Sequence, residues 1–133
     1  MSKKKILVTG GTGYIGSHTV VELLDKGFDV CIIDNLSNSH AEVLGSIEQI
    51  TGKQPFFAQI DLNNKAAVNE FLRVQQPDAI IHFAAYKAVG ESVKEPLKYY
   101  DNNIGGLITL LQVMQKHQCN QIVFSSSCTV YGQ

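Results

Sequence analysis

The 133-residue chain has no tryptophan, only three prolines and three cysteines, and no excess of charge of either sign. A net charge of −1 gives no electrostatic basis for binding nucleic acid or a membrane surface. No apolar run approaches the roughly 20 residues of a membrane span, and the first strand pattern starts too early for a signal peptide to precede it. We therefore expect a cytoplasmic protein without nucleic-acid or membrane partners.

The few cysteines and histidines do not form a recognisable site. Cysteines at positions 31, 119 and 128 make no CxxC pair, and the four histidines have no shared metal-ligand spacing. We expect reduced thiols and no metal. Cys31 lies inside an apolar strand pattern, where a thiol serves as small apolar packing, and a nucleophilic role for Cys128 is disfavoured.

Short apolar runs rich in β-branched residues alternate with amphipathic segments along the chain. The apolar runs predict strands over 5–9, 29–34, 55–60, 78–83 and 120–125. The amphipathic segments predict helices over 14–26, 40–51, 64–75 and 96–117. Repeated strand–helix–strand units require a parallel sheet with right-handed crossovers and helices on both faces. The sequence thus predicts one Rossmann-type α/β domain over residues 1–133, with strand order 3-2-1-4-5.

The pattern stops after the fifth predicted strand. A complete doubly wound dinucleotide-binding fold continues to a sixth strand, so we expect a fold truncated after strand five, with a substrate domain absent. The missing continuation leaves residues 121–125 as a short, apolar sheet edge, a kind of edge that recruits other strands.

A glycine-rich segment, Thr9-Gly10-Gly11-Thr12-Gly13-Tyr14-Ile15-Gly16, joins the first strand pattern to the first helix pattern. Glycines at 10, 13 and 16 permit a tight turn, close approach of the backbone to a pyrophosphate, and close packing of the helix on the sheet. The helix start adds N–H groups and the positive end of its dipole. A glycine-rich turn without a ligand is the alternative.

Asp34 closes the second apolar run, at the distance expected of an acid that binds the adenosine ribose hydroxyls. This second feature strongly favours a dinucleotide ligand. No Arg or Lys lies between Asp34 and Ser39, so a 2′-phosphate would meet a carboxylate and no cation. The sequence therefore favours NAD over NADP.

Further polar residues follow the third and fourth strand patterns. Asp61 precedes Leu62, and its carboxylate can receive the adenine amino group or cap the helix over 64–75. After the fourth strand, the small residues Ala84 and Ala85 would let the nicotinamide half of the cofactor lie against the backbone. Lys87 can reach a ribose or phosphate there, or can be a surface charge. By alternation His82 faces into the sheet, which favours a core histidine over a base.

Two polar groups lie later in the chain. Asn102 belongs to three successive poor helix formers inside the last predicted helix, which indicates either an inward contact with the cofactor or a local kink. Ser125-Ser126-Ser127 closes the fifth strand pattern where the reacting carbon of a nicotinamide is expected. Hydroxyls there can hydrogen-bond a substrate alcohol, although a plain turn is the alternative.

With these residues in place, the chain resembles the extended short-chain dehydrogenase/reductase family. The family motif TGxxGxxG is matched by Thr9, Gly10, Gly13 and Gly16. Within the family, the segments 34–39, 82–92, 99–103 and 125–132 are similar to those of nucleotide-sugar 4-epimerases. The likeness covers the whole chain but only the first part of such an enzyme.

The resemblance assigns cofactor-binding positions along the chain. It implies that Tyr14 and Ile15 lie on the pyrophosphate beside the glycines and that Asp61 and Leu62 contact the adenine. The adenosine ribose would be surrounded by Asp34, Asn35, Leu36, Ser37, Asn38 and Ser39. The rest of NAD would be held by Phe83, Ala84, Ala85, Lys87 and Asn102. Ser127 would be the catalytic, substrate-binding hydroxyl on the C4 oxygen of a UDP-sugar.

The reaction implied by the resemblance moves hydride from C4 of UDP-glucose or UDP-galactose to NAD and back to the other face of a 4-keto sugar. The proton acceptor of the family is a tyrosine in a YxxxK motif. This sequence contains no such motif, and Tyr131 has no lysine four positions on. We therefore expect these residues alone to be inactive.

The resemblance also implies a homodimer that uses the helix over 96–117. Two alternatives stay open, a non-catalytic NAD-binding module and another nucleotide-sugar-modifying member of the family. A dehydratase is disfavoured because Cys128 and Thr129 stand where that enzyme class carries an Asp-Glu pair.

Overall fold

The computed structural model describes residues 4–12, 14–35, 42–83 and 105–124. In these ranges the elements are β1 (Lys5–Thr9), α1 (Tyr14–Asp25), β2 (Asp29–Asp34), α2 (Glu42–Thr51), β3 (Phe56–Gln59), α3 (Lys65–Gln75), β4 (Ala79–His82), α4 (Gly106–Lys116) and β5 (Ile122–Phe124). Each confirms a predicted strand or helix. Residues 40–41, 96–104 and 125 of the predicted elements lie outside the described ranges.

The strands form one parallel sheet in the order β3-β2-β1-β4-β5, as predicted. β1 lies at the centre, and four of its five residues are buried. Thr9, its last residue, lies opposite Ile33 of β2 on one side and His82 of β4 on the other. The carboxyl ends of these three strands therefore meet at one edge of the sheet.

Both faces of the sheet are covered, so alternate residues of β1 enter different cores. Leu7 packs with residues of α3 and α4, whereas Ile6 and Val8 pack with residues of α1 and α2. Parallel strands covered on both faces read as continuous apolar runs, and this explains why the strand patterns are nearly uniform rather than alternating. Thr9 and His82 follow Leu7 and Ile80 by two residues and so lie on the α3/α4 face.

A left-handed residue follows each of the four described helices, namely Gly27, Gly52, Gln76 and Gln118. After α1, Gly27 has φ +92° and its N–H donates to Leu24 O at 3.1 Å, while Phe28 N donates to Leu23 O at 3.0 Å. After α3, Gln76 has φ +47° and Pro77 follows. After α1 and α3 these reversals return the chain to the amino edge of the sheet, where β2 and β4 each start beside β1.

The two outer strands are more exposed than the centre. On β5, Val123 and Phe124 keep 62% and 52% of their surface in solvent, as predicted for an apolar edge. On β3, Phe56 is exposed but its ring lies 5.9 Å from that of Phe71. Across the described ranges, none of the helices is both long and apolar enough to span a membrane.

Candidate functional site

The candidate site lies at the carboxyl ends of β1, β2 and β4. Within the described ranges, the buried polar or charged side chains are Thr9, Thr12, Asp34 and His82, and all four lie here. The sheet order reverses beside β1, since the chain leaves it first toward β2 and later toward β4. Open α/β sheets bind ligands at such a point, so the clustering of buried polar groups makes this edge the candidate site.

The glycine turn after β1 has the tight geometry that the sequence predicted. Gly10 has φ +73°, and its N–H donates to Ile33 O at 2.8 Å, which bends the turn toward β2. A Cβ atom at Gly16 would stand 2.1 Å from the carbonyl oxygen of Gly10, so α1 packs directly on the turn. A Cβ at Gly11 would meet Ile32 Cγ2 at 2.8 Å. Side chains at Gly11 and Gly16 would therefore push α1 and the turn away from the sheet.

The acid at the end of β2 is tied to this turn by Thr12. The Thr12 hydroxyl donates to Asp34 Oδ2 at 2.5 Å, and the Thr12 N–H donates to the same oxygen at 3.3 Å. Asp34 is 8% exposed and Thr12 is 2% exposed. The sequence reasoning did not single out Thr12. Its position between two glycines of the motif, one strand away from the acid, is the signal that could have found it.

A second buried contact joins β1 to β4. Thr9 Oγ1 and His82 Nδ1 are hydrogen-bonded at 2.7 Å, and the His82 ring stacks on Phe124 with centroids 5.5 Å apart. The N–H of Phe83 donates to Thr9 O at 2.9 Å and to Thr9 Oγ1 at 3.1 Å. His82 is thus a satisfied core histidine, as predicted, and the start of the loop after β4 is held against β1.

The segment after β3 reaches the site beside Asp34, since Ile60 N donates to Asp34 O at 3.2 Å. Asp61 is not the N-cap of α3, so that alternative is wrong. The cap is Asn64, whose side chain accepts from Ala67 N at 3.2 Å, whereas Asp61 Oδ1 accepts from Asn63 N at 2.9 Å. Asp61 lies three residues too early to reach the first-turn N–H groups and closes the preceding turn instead.

Leu62 and the start of α1 contribute main chain rather than side chain to this edge. The Leu62 side chain is 6% exposed and belongs to the core under α3 and α4, so it offers a ligand only its backbone. α1 begins at Tyr14 directly after the turn, and its first turn has no acidic residue. The N–H groups and the dipole of α1 can therefore receive an anion without a competing carboxylate. Ile15, in the first turn, is 54% exposed.

Ten predicted site residues lie outside the described ranges, and the structure says nothing of them. They are Gly13, Leu36, Ser37, Asn38, Ser39, Ala84, Ala85, Lys87, Asn102 and Ser127. Of the others, Gly10, Ile15, Gly16 and Asp34 come together around the glycine turn, and Phe83 follows the Thr9–His82 contact. Asn35 directly follows Asp34 and is half-buried, and Tyr14 is described only as the first residue of α1.

Neither thiol in the described ranges has the properties of a reactive site. Burial raises the pKa of Cys31 to about 12 and also raises the pKa of Cys119, so both remain protonated at neutral pH. The same part of the chain contains no cluster of three His, Cys, Asp or Glu residues suited to a metal ion.

A groove of about 420 Å³ lies at the opposite, amino end of the sheet. Its polar lining includes Lys4, Asp78, Gln118 and Asn120, all of them exposed. Because its polar groups are solvated rather than buried and preorganised, we place the functional site at the carboxyl end despite the size of this groove.

The comparisons with known proteins agree with this geometry. Residues 6–133 match the family described as NAD dependent epimerase/dehydratase family. The UDP-glucose 4-epimerase of Dictyostelium discoideum is 54% identical over 96% of this chain and 37% of its own length. The UDP-glucose 4-epimerase of Klebsiella pneumoniae is 51% identical over 96% of this chain and 92% of its own length.

Two solved structures are also similar over 97% of this chain and 38% of their own. The UDP-glucose 4-epimerase of Stenotrophomonas maltophila, with bound NAD and formylated UDP-arabinopyranose, has a TM-score of 0.93 and 50% identity. The enzyme of Bifidobacterium longum, in complex with NAD+ and UDP, has a TM-score of 0.93 and 48% identity. This chain thus spans little more than a third of these two proteins and of the Dictyostelium discoideum enzyme. With a family match that extends from residue 6 to residue 133, the chain belongs to the NAD dependent epimerase/dehydratase family.

Proposed function

We propose that this chain is the NAD-binding part of a UDP-glucose 4-epimerase, which interconverts UDP-glucose and UDP-galactose in galactose metabolism. Residues 1–133 would form one domain of the longer enzyme. The observation that carries the proposal is the buried acid Asp34, which the Thr12 hydroxyl ties to the glycine turn at 2.5 Å. An acid and a turn held together in this way suit a ligand that has both a ribose diol and a pyrophosphate. Similar structures that contain NAD support the same cofactor.

In this proposal, the described residues contact different parts of the cofactor. Gly10 and Gly16 shape the turn under the pyrophosphate, and the N–H groups at the start of α1 face its charge. Asp34 accepts hydrogen bonds from the adenosine ribose, and Asp61 with the Leu62 backbone receives the adenine. Phe83 leads the chain from β4 toward the nicotinamide half.

Residues outside the described ranges complete the proposed site. They are Gly13 at the pyrophosphate, Leu36, Ser37, Asn38 and Ser39 around the ribose, and Ala84, Ala85, Lys87 and Asn102 along the rest of NAD. When bound, NAD is the oxidant that would accept a hydride from carbon 4 of the sugar. Ser127 would orient the C4 oxygen through a hydrogen bond. The 133 residues contain no YxxxK pair to accept the proton, so we expect them to bind the cofactor without turning over a UDP-sugar.

Calorimetric titration of the chain with NAD and with NADP tests the cofactor assignment. We expect NAD to bind with an affinity at least about tenfold above that of NADP, because the 2′-phosphate would meet the Asp34 carboxylate. Asp34→Ser should reduce that preference, whereas Asp25→Asn, at the exposed end of α1, should leave it unchanged. A folded chain that gives no binding heat with NAD at any workable concentration would overturn the proposal.

We further propose that the exposed side of α4 joins two copies of the enzyme. Leu110, Val113 and Met114 face the core, whereas Ile108 and Leu111 keep 49% and 44% of their surface exposed. Light scattering coupled to gel filtration should find a dimer that the double variant Ile108→Lys/Leu111→Lys dissociates. Val74→Lys, on the exposed side of α3, is the control. A wild-type chain that stays monomeric at high concentration would contradict this assignment.

A further inference from the structure

The contact between Thr12 and Asp34 joins two parts of the candidate site that come from different segments of the chain. Thr12 belongs to the turn after β1 and Asp34 ends β2, 22 residues later. Asp34 Oδ2 receives both the hydroxyl of Thr12, at 2.5 Å, and its backbone N–H, at 3.3 Å. Nearby, Gly10 N donates to Ile33 O at 2.8 Å. Three donors of the turn are therefore directed toward the end of β2.

This arrangement changes which amides of the turn can receive a phosphate. The N–H groups of Gly10 and Thr12 already donate to Ile33 and Asp34. The start of α1, to which the positive end of the helix dipole also belongs, offers further amides to a pyrophosphate. Gly10 and Thr12 thus bond the turn to the end of β2, and Thr12 is the residue that bonds to Asp34 itself.

Burial makes the hydroxyl of Thr12 important for the position of the acid. Asp34 is 8% exposed, so its carboxylate depends on donors from the protein rather than from water. A hydroxyl–carboxylate bond is charge-assisted and fixes the orientation of the acceptor. Threonine is also restricted at χ1 by its branched Cβ, which limits the directions that the hydroxyl can take.

We propose that Thr12 is a positioning residue that orients Asp34 toward the adenosine ribose and couples recognition of that ribose to the glycine turn. The inference rests on the proposed function, since it concerns how this chain recognises the adenosine ribose of NAD. It predicts that Thr12 sets the preference of the site for the ribose hydroxyls, beyond any effect on folding. Recognition of the ribose and of the pyrophosphate then depends on one hydrogen-bonded unit.

The test compares calorimetric affinities for NAD and for the NAD analogue that lacks the adenosine 2′-hydroxyl. Wild type should prefer NAD. Thr12→Val, which keeps the shape but removes the donor, should lose roughly tenfold in NAD affinity and most of this preference. Thr12→Ser should stay within about threefold of wild type, because it keeps the donor and loses only the rotamer restriction.

Two controls separate positioning from folding. Thr19→Val removes a hydroxyl that donates to Ile15 O in its own helix, at 3.1 Å, and should change neither affinity nor preference. In an Asp34→Asn background, Thr12→Val should cost much less NAD affinity than in wild type, because Thr12 acts through the carboxylate.

Each outcome of the titration is decisive. If wild type binds NAD and Thr12→Val keeps the full preference for the 2′-hydroxyl, Thr12 does not position the acid, although the proposed function stands. If Thr12→Val and Thr12→Ala both fail to fold by circular dichroism, the hydroxyl is purely structural and the inference is overturned. If wild type itself shows no NAD binding, the proposed function fails, and the inference fails with it.

Discussion

The two ends of the parallel sheet hold their polar groups in opposite ways. At the carboxyl end, Thr9, Thr12, Asp34 and His82 are buried and bonded in two pairs, Thr9 with His82 and Thr12 with Asp34. At the amino end, Lys5 N donates to the exposed Asp78 carboxylate at 2.8 Å, and Lys5 Nζ donates to Gln75 Oε1 at 3.2 Å. Water can replace each amino-end contact but not the carboxyl-end contacts.

This difference determines what each end can do. A hydrogen bond at the surface contributes little net stability, because its partners bond to water when it breaks. A buried group that loses its partner keeps the full desolvation cost. The carboxyl end is therefore preorganised for a polar ligand, whereas the amino end connects helices to strands and tolerates change.

The largest effect should come from Gly16, at the carboxyl end. A Cβ there would meet the backbone oxygen of Gly10 at 2.1 Å, and a backbone atom cannot rotate away. Gly16→Ala should lower the free energy of unfolding by more than about 2 kcal/mol in urea titrations and abolish NAD binding. Gly45→Ala, on α2 with open space around it, should instead raise stability by about 0.5–1 kcal/mol. Equal stability of the two variants would refute the close packing of α1 on the turn.

A second comparison concerns the stability that one hydrogen bond contributes at each end of the sheet. Thr9→Val removes the buried hydroxyl that contacts His82 and should cost about 1–3 kcal/mol of unfolding free energy. Gln75→Ala removes the amino-end partner of Lys5 and should stay within about 0.5 kcal/mol of wild type. Both are measured by urea unfolding at pH 7. If Gln75→Ala were the more destabilising variant, the contrast between the ends would be wrong.

Cys31, in the middle of β2, tests burial away from both ends. Burial raises its pKa from 9.0 to about 12, so between these values the unfolded state loses a proton that the folded state keeps. Stability is then fully present below pH 9 and falls as the pH rises, by at most about 1.4 kcal/mol per unit from this group.

The Cys31→Ala variant should show a shallower loss of stability between pH 9 and pH 10 than wild type in urea titrations. Cys119→Ala is the matched variant for Cys31→Ala, because it removes the other described thiol whose pKa is raised by burial. Identical slopes for wild type and Cys31→Ala would show that the Cys31 thiolate is solvated in the folded chain.

The smallest effect should come from an exposed ion pair on α3. Hydrogen bonds from Arg73 lower the pKa of Glu70, and both side chains are more than half exposed. The contribution of the pair is therefore present above the ordinary carboxyl pKa and lost as the pH falls through the lowered value. Glu70→Gln should leave the melting temperature at pH 7 nearly unchanged, and added salt should reduce even that difference. A drop as large as that of Thr9→Val would contradict this ranking.

Much of the fold could be predicted because its signals are local. The β-branched runs at β1 and β2, the glycine spacing at 10 and 16, and the position of Asp34 each depend on residues close together in the sequence. The end of α1 was predictable because a single residue, Gly27, adopts the left-handed conformation that ends the helix. The capping of α3 was not, because Asp61 and Asn64 are both suitable residue types and only the path of the turn selects Asn64.

The contacts that complete the site depend on residues far apart in the chain. Thr12 reaches an acid 22 residues away, and Thr9 reaches a histidine 73 residues away. No spacing rule connects such pairs, because each forms only after the strand order places β2 and β4 on either side of β1.

The sequence by itself determined the element types, the glycine turn and the acid that follows β2, since backbone freedom and hydrophobic periodicity act over a few residues. Only the tertiary structure decided which donors serve Asp34, which residue caps α3, and that the buried polar groups described here share one edge of the sheet. Burial and cross-strand distance set those outcomes, and both exist only once the strands are packed in their final order.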